Sequence, residues 1–114
     1  MLTLYTIKTC DTCRKAKKAL ESKGLPFQTH DLREDGLSAS LLEHFLEHVP
    51  VLALVNKRSK TWRDLPAQAK ENLDANSARE LMLANPTLLK RPLLDTGEEI
   101  RIGFREGDYD NLHG

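Results

Sequence analysis

The sequence predicts an α/β fold of βαβ-ββα order, with a helical insertion between its two parts. Three observations carry that prediction: a strand-helix-strand opening, a middle built of amphipathic helical segments, and an alternating hairpin near the end. The opening begins with Leu2-Thr-Leu-Tyr-Thr-Ile7, a short β-branched and aromatic run that reads as a buried strand. It ends in a turn over Lys8-Thr9-Cys10-Asp11. From about Thr12 the period becomes helical, with Cys13, Ala16, Ala19 and Leu20 on one stripe and Arg14, Lys15, Lys18 and Glu21 largely opposite. Gly24 and Pro26 stop this helix. Phe27–Leu32 then reads as a second strand, and a right-handed crossover makes it parallel to the first.

Arg33-Glu-Asp-Gly36 is a turn leading to a helix whose apolar face is Leu41, Leu42, Phe45 and Leu46, closed by Pro50. The stretch from Val51 to Leu65 carries no clear period. A further helix is signalled by the capping-box spacing Ser77-x-x-Glu80, carries Leu81 and Met82, and ends at Asn85-Pro86. Pro92–Asp95 and Ile100–Phe104 flank a Thr96-Gly97 turn, and Ile100, Ile102 and Phe104 alternate as a half-buried strand requires. Tyr109 and Leu112 are placed to anchor a short last helix. This order is that of a thioredoxin-like fold with a helical insertion, one domain over residues 1–114.

Composition narrows the functional classes. With 39% apolar and 30% charged residues, the chain has the balance of a soluble globular domain. Seventeen Lys and Arg face seventeen Asp and Glu, so no net field draws it to nucleic acid or to an anionic membrane. No apolar run approaches the roughly 20 residues of a membrane span, and no leader pattern precedes the first strand. The expected location is the cytoplasm. There, two cysteines separated by two residues point to redox or metal chemistry before a structural staple.

A cysteine just ahead of a helix faces unpaired backbone N–H groups and the positive end of the helix dipole, both of which favour the thiolate. Cys10 holds that position, with Lys8 and Arg14 as nearby positive charge. Cys13, one turn further on, is placed to attack a mixed disulfide formed at Cys10. The reading is therefore Cys10 as nucleophile and Cys13 as resolving thiol. His44 and His48 could complete a Cys2His2 metal set, but the intervening chain is far longer than in a zinc finger, and both histidines fall with Glu43 and Glu47 on a polar helix face. Two solvated histidines, and no metal, is the expectation. Arg91-Pro92 is the second constellation: thioredoxin-like folds place a cis-proline beside the active cysteine where a strand follows a helical insert. Pro92 is the candidate, and Arg91 would point at the thiolate and grip an anionic partner. Arg58, Lys60 and Arg63 around Trp62, and the basic run on the first helix, read as solvated faces.

The residues resemble the arsenate-reductase-related (ArsC) proteins, which include the Spx regulators and the YffB-like proteins. The opening Leu4–Ala16 resembles either group, and Cys13 is the arrangement typical of Spx. Asn56–Leu65, Leu89–Leu94 and Ile102-Gly-Phe104 are more similar to the YffB-like proteins. The resemblance implies a thioredoxin-like fold in which Cys10 matches the catalytic cysteine and Arg91 the arginine before the active-site proline. Leu52 stands where a further oxyanion-binding arginine is expected, and Arg105 matches another with a one-residue shift. Pro50 stands where Spx carries a glycine. The implied activity is glutathione-linked thiol reduction with no bound cofactor. The reductant would be glutathione or a thioredoxin-type protein, and the substrate a disulfide or a small oxyanion. The alternative is a redox-switched regulator that binds RNA polymerase.

Overall fold

The computed structural model describes residues 2–8, 10–110 and 112. It contains strands β1 (Leu2–Thr6), β2 (Phe27–Asp31), β3 (Leu93–Asp95) and β4 (Ile100–Ile102) and helices α1 (Asp11–Ser22), α2 (Ala39–Leu46), α3 (Lys60–Arg63), α4 (Ala67–Glu71) and α5 (Ala75–Ala84). Short 3-10 turns lie at Val51–Leu54 and Pro86–Leu88. The chain divides into two compact units, one of residues 1–35 and 91–114 and the other of residues 36–90.

The first unit holds the four-stranded sheet, in the order β2-β1-β3-β4. β1 and β2 are parallel, with Leu4 opposite Thr29, as a helical crossover requires. β3 runs antiparallel to β1 and pairs antiparallel with β4. The thioredoxin-like arrangement follows. The α1 stripe of Ala16 and Leu20 packs with Leu2, Leu4, Leu94, Tyr109 and Leu112, and Phe104 and Ala19 close over this core. α1 ends in a Schellman motif: the Leu25 N–H donates to the Leu20 carbonyl at 3.4 Å and Gly24 to Glu21 at 3.0 Å, with Gly24 at φ 69°. Only glycine takes that conformation without Cβ strain.

The region after Phe104 is a turn over Glu106–Asp110 among the described residues. Tyr109 and Leu112 are buried as expected, but the rest of the proposed last helix, residues 111 and 113–114, lies outside them. So does Thr9 in the turn before α1.

The second unit is helical. Leu42 and Phe45 of α2, Ala78 and Met82 of α5, and Leu54, Val55, Leu88 and Leu89 form its core. An isolated bridge joins Val55 to Leu89. The stretch without a period resolves into the turn at Val51–Leu54 and the short α3, which the Ser59 hydroxyl caps by accepting the Trp62 N–H at 3.1 Å. Both are too short for a helical period to show in sequence. Two ammonium groups, Lys57 and Lys70, lie over the Trp62 ring at 5.6 and 5.9 Å.

One helix start differs from expectation. α5 begins at Ala75 with Asp74 as its N-cap, so the box is Asp74 with Ser77 and not Ser77 with Glu80. The Asp74 carboxylate accepts the Ser77 N–H at 2.8 Å, and the Ser77 hydroxyl accepts the Asp74 N–H at 2.9 Å. A carboxylate at the positive end of the helix satisfies the same orphan donors and adds a favourable charge, so the cap falls one turn earlier.

Candidate active site

After β1 the backbone turns, with the Cys10 N–H donating to the Ile7 carbonyl at 3.2 Å, and Cys10 enters α1 as its N-cap in an extended conformation. A hydroxyl or carboxylate oxygen ordinarily fills this position. Here the Cys10 Sγ does, accepting the Cys13 N–H at 3.3 Å. An anionic sulfur accepts such a bond better than a neutral one, so the cap favours the thiolate.

The two thiols have opposite environments. Burial works against charge on the half-buried Cys10, but hydrogen bonds from the Cys13 side chain and backbone outweigh it. The charge and a hydrogen bond of the Arg91 guanidinium add to them, and the Cys10 thiol is held below its ordinary value. Cys13 is only 3% exposed. Burial and its neighbour Cys10 push the Cys13 thiol up to about 12. One thiol is prepared to ionise, and the other is held as a proton donor beneath it.

Arg91 reaches this sulfur from the entry to β3. Its peptide bond to Pro92 is cis, and the Pro92 carbonyl accepts the Gly103 N–H at 2.8 Å, fastening the segment to the end of β4. Lys8 and Arg14 are differently engaged from expectation. The Lys8 ammonium pairs with Glu34 at 2.7 Å and the Arg14 guanidinium with Asp11, all four side chains being well exposed. Each flexible cation has a carboxylate within reach on its own surface, so the positive charge acting on Cys10 is that of Arg91.

A residue that sequence reasoning passed over ties the loop together. The Asp31 carboxylate, at the end of β2, accepts the backbone N–H of Lys8 at 3.1 Å, of Arg33 at 2.8 Å and of Glu34 at 3.0 Å. It joins the segment before Cys10 to the turn after β2. Burial is the largest single influence on it and opposes its ionisation, but the backbone donors of Glu34, Arg33 and Lys8 together outweigh it and hold the carboxyl below the usual range. The readable signal is Asp31 followed by Arg33-Glu34, an Asx turn in which a short carboxylate caps the backbone two and three residues on. A cleft of about 360 Å³ opens beside this tie, lined by Lys8, Cys13, Arg14, Lys17, Asp31 and Glu34 among others.

Comparison with known proteins gives the family and the fold that carry this site. The model of the ArsC family matches residues 5–112. The chain is 43% identical to an arsenate reductase (ArsC) related protein of Brucella melitensis, with a TM-score of 0.80 over 96% of this chain and 91% of that one. To a YffB protein it is 33% identical, with a TM-score of 0.88 over 96% of each chain. It is also 30% identical to the global transcriptional regulator Spx 1 of Lactococcus lactis, over 95% of this chain and 85% of the relative.

Proposed function

Because the chain belongs to the ArsC family, we propose that it is a thiol-disulfide oxidoreductase, glutathione-linked, with Cys10 as nucleophile and Cys13 as resolving thiol. The observation that carries the proposal is the sulfur N-cap: Cys10 Sγ accepts the Cys13 N–H, and Arg91 supplies the positive charge. The Cys10 thiolate attacks one sulfur of a disulfide, forming a mixed disulfide and expelling the other sulfur as a thiolate. Cys13 then loses its proton and attacks Cys10 Sγ, releasing the second substrate thiolate and leaving a Cys10–Cys13 disulfide. Two thiols of a reductant, glutathione or a thioredoxin-type protein, return that disulfide to the dithiol. Arg91 orients the anionic end of the partner.

A disulfide substrate is favoured over arsenate. Leu52, where the resemblance expects an oxyanion-binding arginine, is 49% exposed and offers an anion no charge. The test is reduction of a small mixed disulfide by glutathione, followed by consumption of NADPH through glutathione reductase. Cys10→Ser abolishes turnover, and Cys13→Ser accumulates a glutathione adduct on Cys10 visible by mass spectrometry. Unchanged turnover in Cys10→Ser, with a thiol that titrates like a free cysteine, refutes the proposal.

A second reading, a redox-switched regulator that binds RNA polymerase, draws on the Cys-x-x-Cys pair and the similarity to Spx 1. Turnover separates the two: a switch oxidises once per reduction and captures the polymerase in one redox state, whereas an enzyme cycles.

A further inference from the structure

The second unit gathers donor atoms that no step of the thiol chemistry uses. His44, Glu47 and His48 each bring a nitrogen or carboxylate oxygen to within 4.8 Å of the others. Their spacing is i, i+3 and i+4, with His44 in the last turn of α2, Glu47 at its C-cap and His48 just beyond it. His44 Nδ1 lies 4.0 Å from Glu47 Oε2, and the two imidazole rings meet edge to face with centroids 5.4 Å apart.

From this geometry we propose that His44, Glu47 and His48 form a surface site for a borderline divalent transition-metal ion, zinc(II) in the first place. Two imidazoles and one carboxylate are a donor set that suits zinc and its neighbours and is poor for magnesium or calcium, which take oxygen ligands. Metal-nitrogen and metal-oxygen bonds of about 2.0–2.2 Å place ligand atoms about 3.3–3.5 Å apart, so rotamer changes of the half-buried His44 and the exposed Glu47 and His48 close the gap. Glu47 is the C-cap of α2, so the ion lies at the negative end of the helix dipole, which favours a cation. Three protein ligands leave a fourth position for water or for a side chain of a partner.

The test is calorimetric titration with zinc chloride under a non-chelating reductant, in the Cys10→Ser/Cys13→Ser background so that the thiols do not compete. One site per chain is expected, weakened at least about tenfold by His44→Gln or His48→Gln and by less in Glu47→Gln. In NMR spectra the His44 and His48 ring resonances shift on zinc addition, while the core signals of Leu42 and Phe45 hold still and exclude misfolding. The proposal is overturned if the double cysteine variant binds no zinc, or if its affinity is the same with both histidines replaced. It does not depend on the thiol chemistry, and either can fail alone.

Discussion

Replacing Arg91 by methionine keeps the aliphatic stem and removes the guanidinium that lowers the Cys10 thiol. A charge-assisted hydrogen bond contributes about 1.5–3 kcal/mol when shielded from water. Cys10 is half-buried, and taking about half of that range for solvent screening leaves ~0.8–1.5 kcal/mol. At 1.36 kcal/mol per unit, the Cys10 pKa rises by about one unit in Arg91→Met. It does not return to that of a free thiol, because the Cys13 N–H still caps the sulfur at 3.3 Å. The assay is the pH dependence of iodoacetamide alkylation of Cys10 in a Cys13→Ser background, with thiolate absorbance near 240 nm as a second reading. The midpoint moves up by about one unit, and the plateau rate at high pH rises about threefold, since a more basic thiolate is the better nucleophile with a Brønsted slope of about 0.4–0.5. A midpoint unmoved by Arg91→Met, in a protein with wild-type circular dichroism, refutes the assignment of that charge to Arg91.

Alkylation of the wild type at pH 7 modifies Cys10 first: with its thiol at about 12, Cys13 is ionised to only about one part in 10⁵, and peptide mapping finds label there only after denaturation. Asp31→Asn loosens the segment before Cys10. Since the folded carboxyl lies below its unfolded value of 3.8, the stability it adds is present above about pH 4 and is lost as pH falls through the folded pKa. The difference between wild-type and variant denaturant midpoints therefore shrinks below about pH 4, and a constant difference contradicts the role of the charge. Phe45→Ala empties the core of the helical unit and destabilises by about 3–5 kcal/mol in urea unfolding. Tyr109→Phe has the opposite sign: the buried hydroxyl has no hydrogen-bond partner among the described residues, so its removal raises stability by about 1 kcal/mol.

Legibility in the sequence followed the range of the interactions. The β1-α1-β2 opening and the final hairpin were readable because each is written in a local period, and the pairing followed from the helical crossover in the first and the short turn in the second. Cys10 and Cys13 were readable because their environment is one helical turn, and a cap is a local object. Asp74 was missed because Ser77-x-x-Glu80 satisfied the same pattern one turn later, and only the folded backbone decides which box closes. Lys8 and Arg14 are engaged differently from expectation for another reason. A flexible cation near a cysteine in sequence has competing carboxylates, Glu34 and Asp11, and in the structure it takes those. Arg91 lies eighty-one positions from Cys10 in the sequence and was reached through the fold, which sets a proline entering a strand after the helical insert beside the cysteine; the family resemblance then matched the same pair.

The opposite shifts of the two thiols are linked, and the link gives the proposed reaction its order. Part of what raises Cys13 is Cys10 itself, through a hydrogen bond and through its negative charge. Once Cys10 Sγ is bonded to a substrate sulfur it carries no charge, and both contributions vanish. Arg91 remains and now acts on Cys13 alone, where its charge already lowers the thiol. Burial still opposes ionisation, so Cys13 becomes easier to deprotonate without becoming an exposed, indiscriminate nucleophile. The resolving thiol is therefore restrained while Cys10 is free and released by the adduct it must attack. In a chain trapped as a neutral mixed disulfide at Cys10, the Cys13 thiol titrates below its value of about 12 in the free dithiol. Carbamidomethylation of Cys10, which also removes its charge and cannot be resolved, gives a stable species in which to measure that fall. If Cys13 keeps its value there, burial alone holds it, and the coupling between the two sulfurs does not order the reaction.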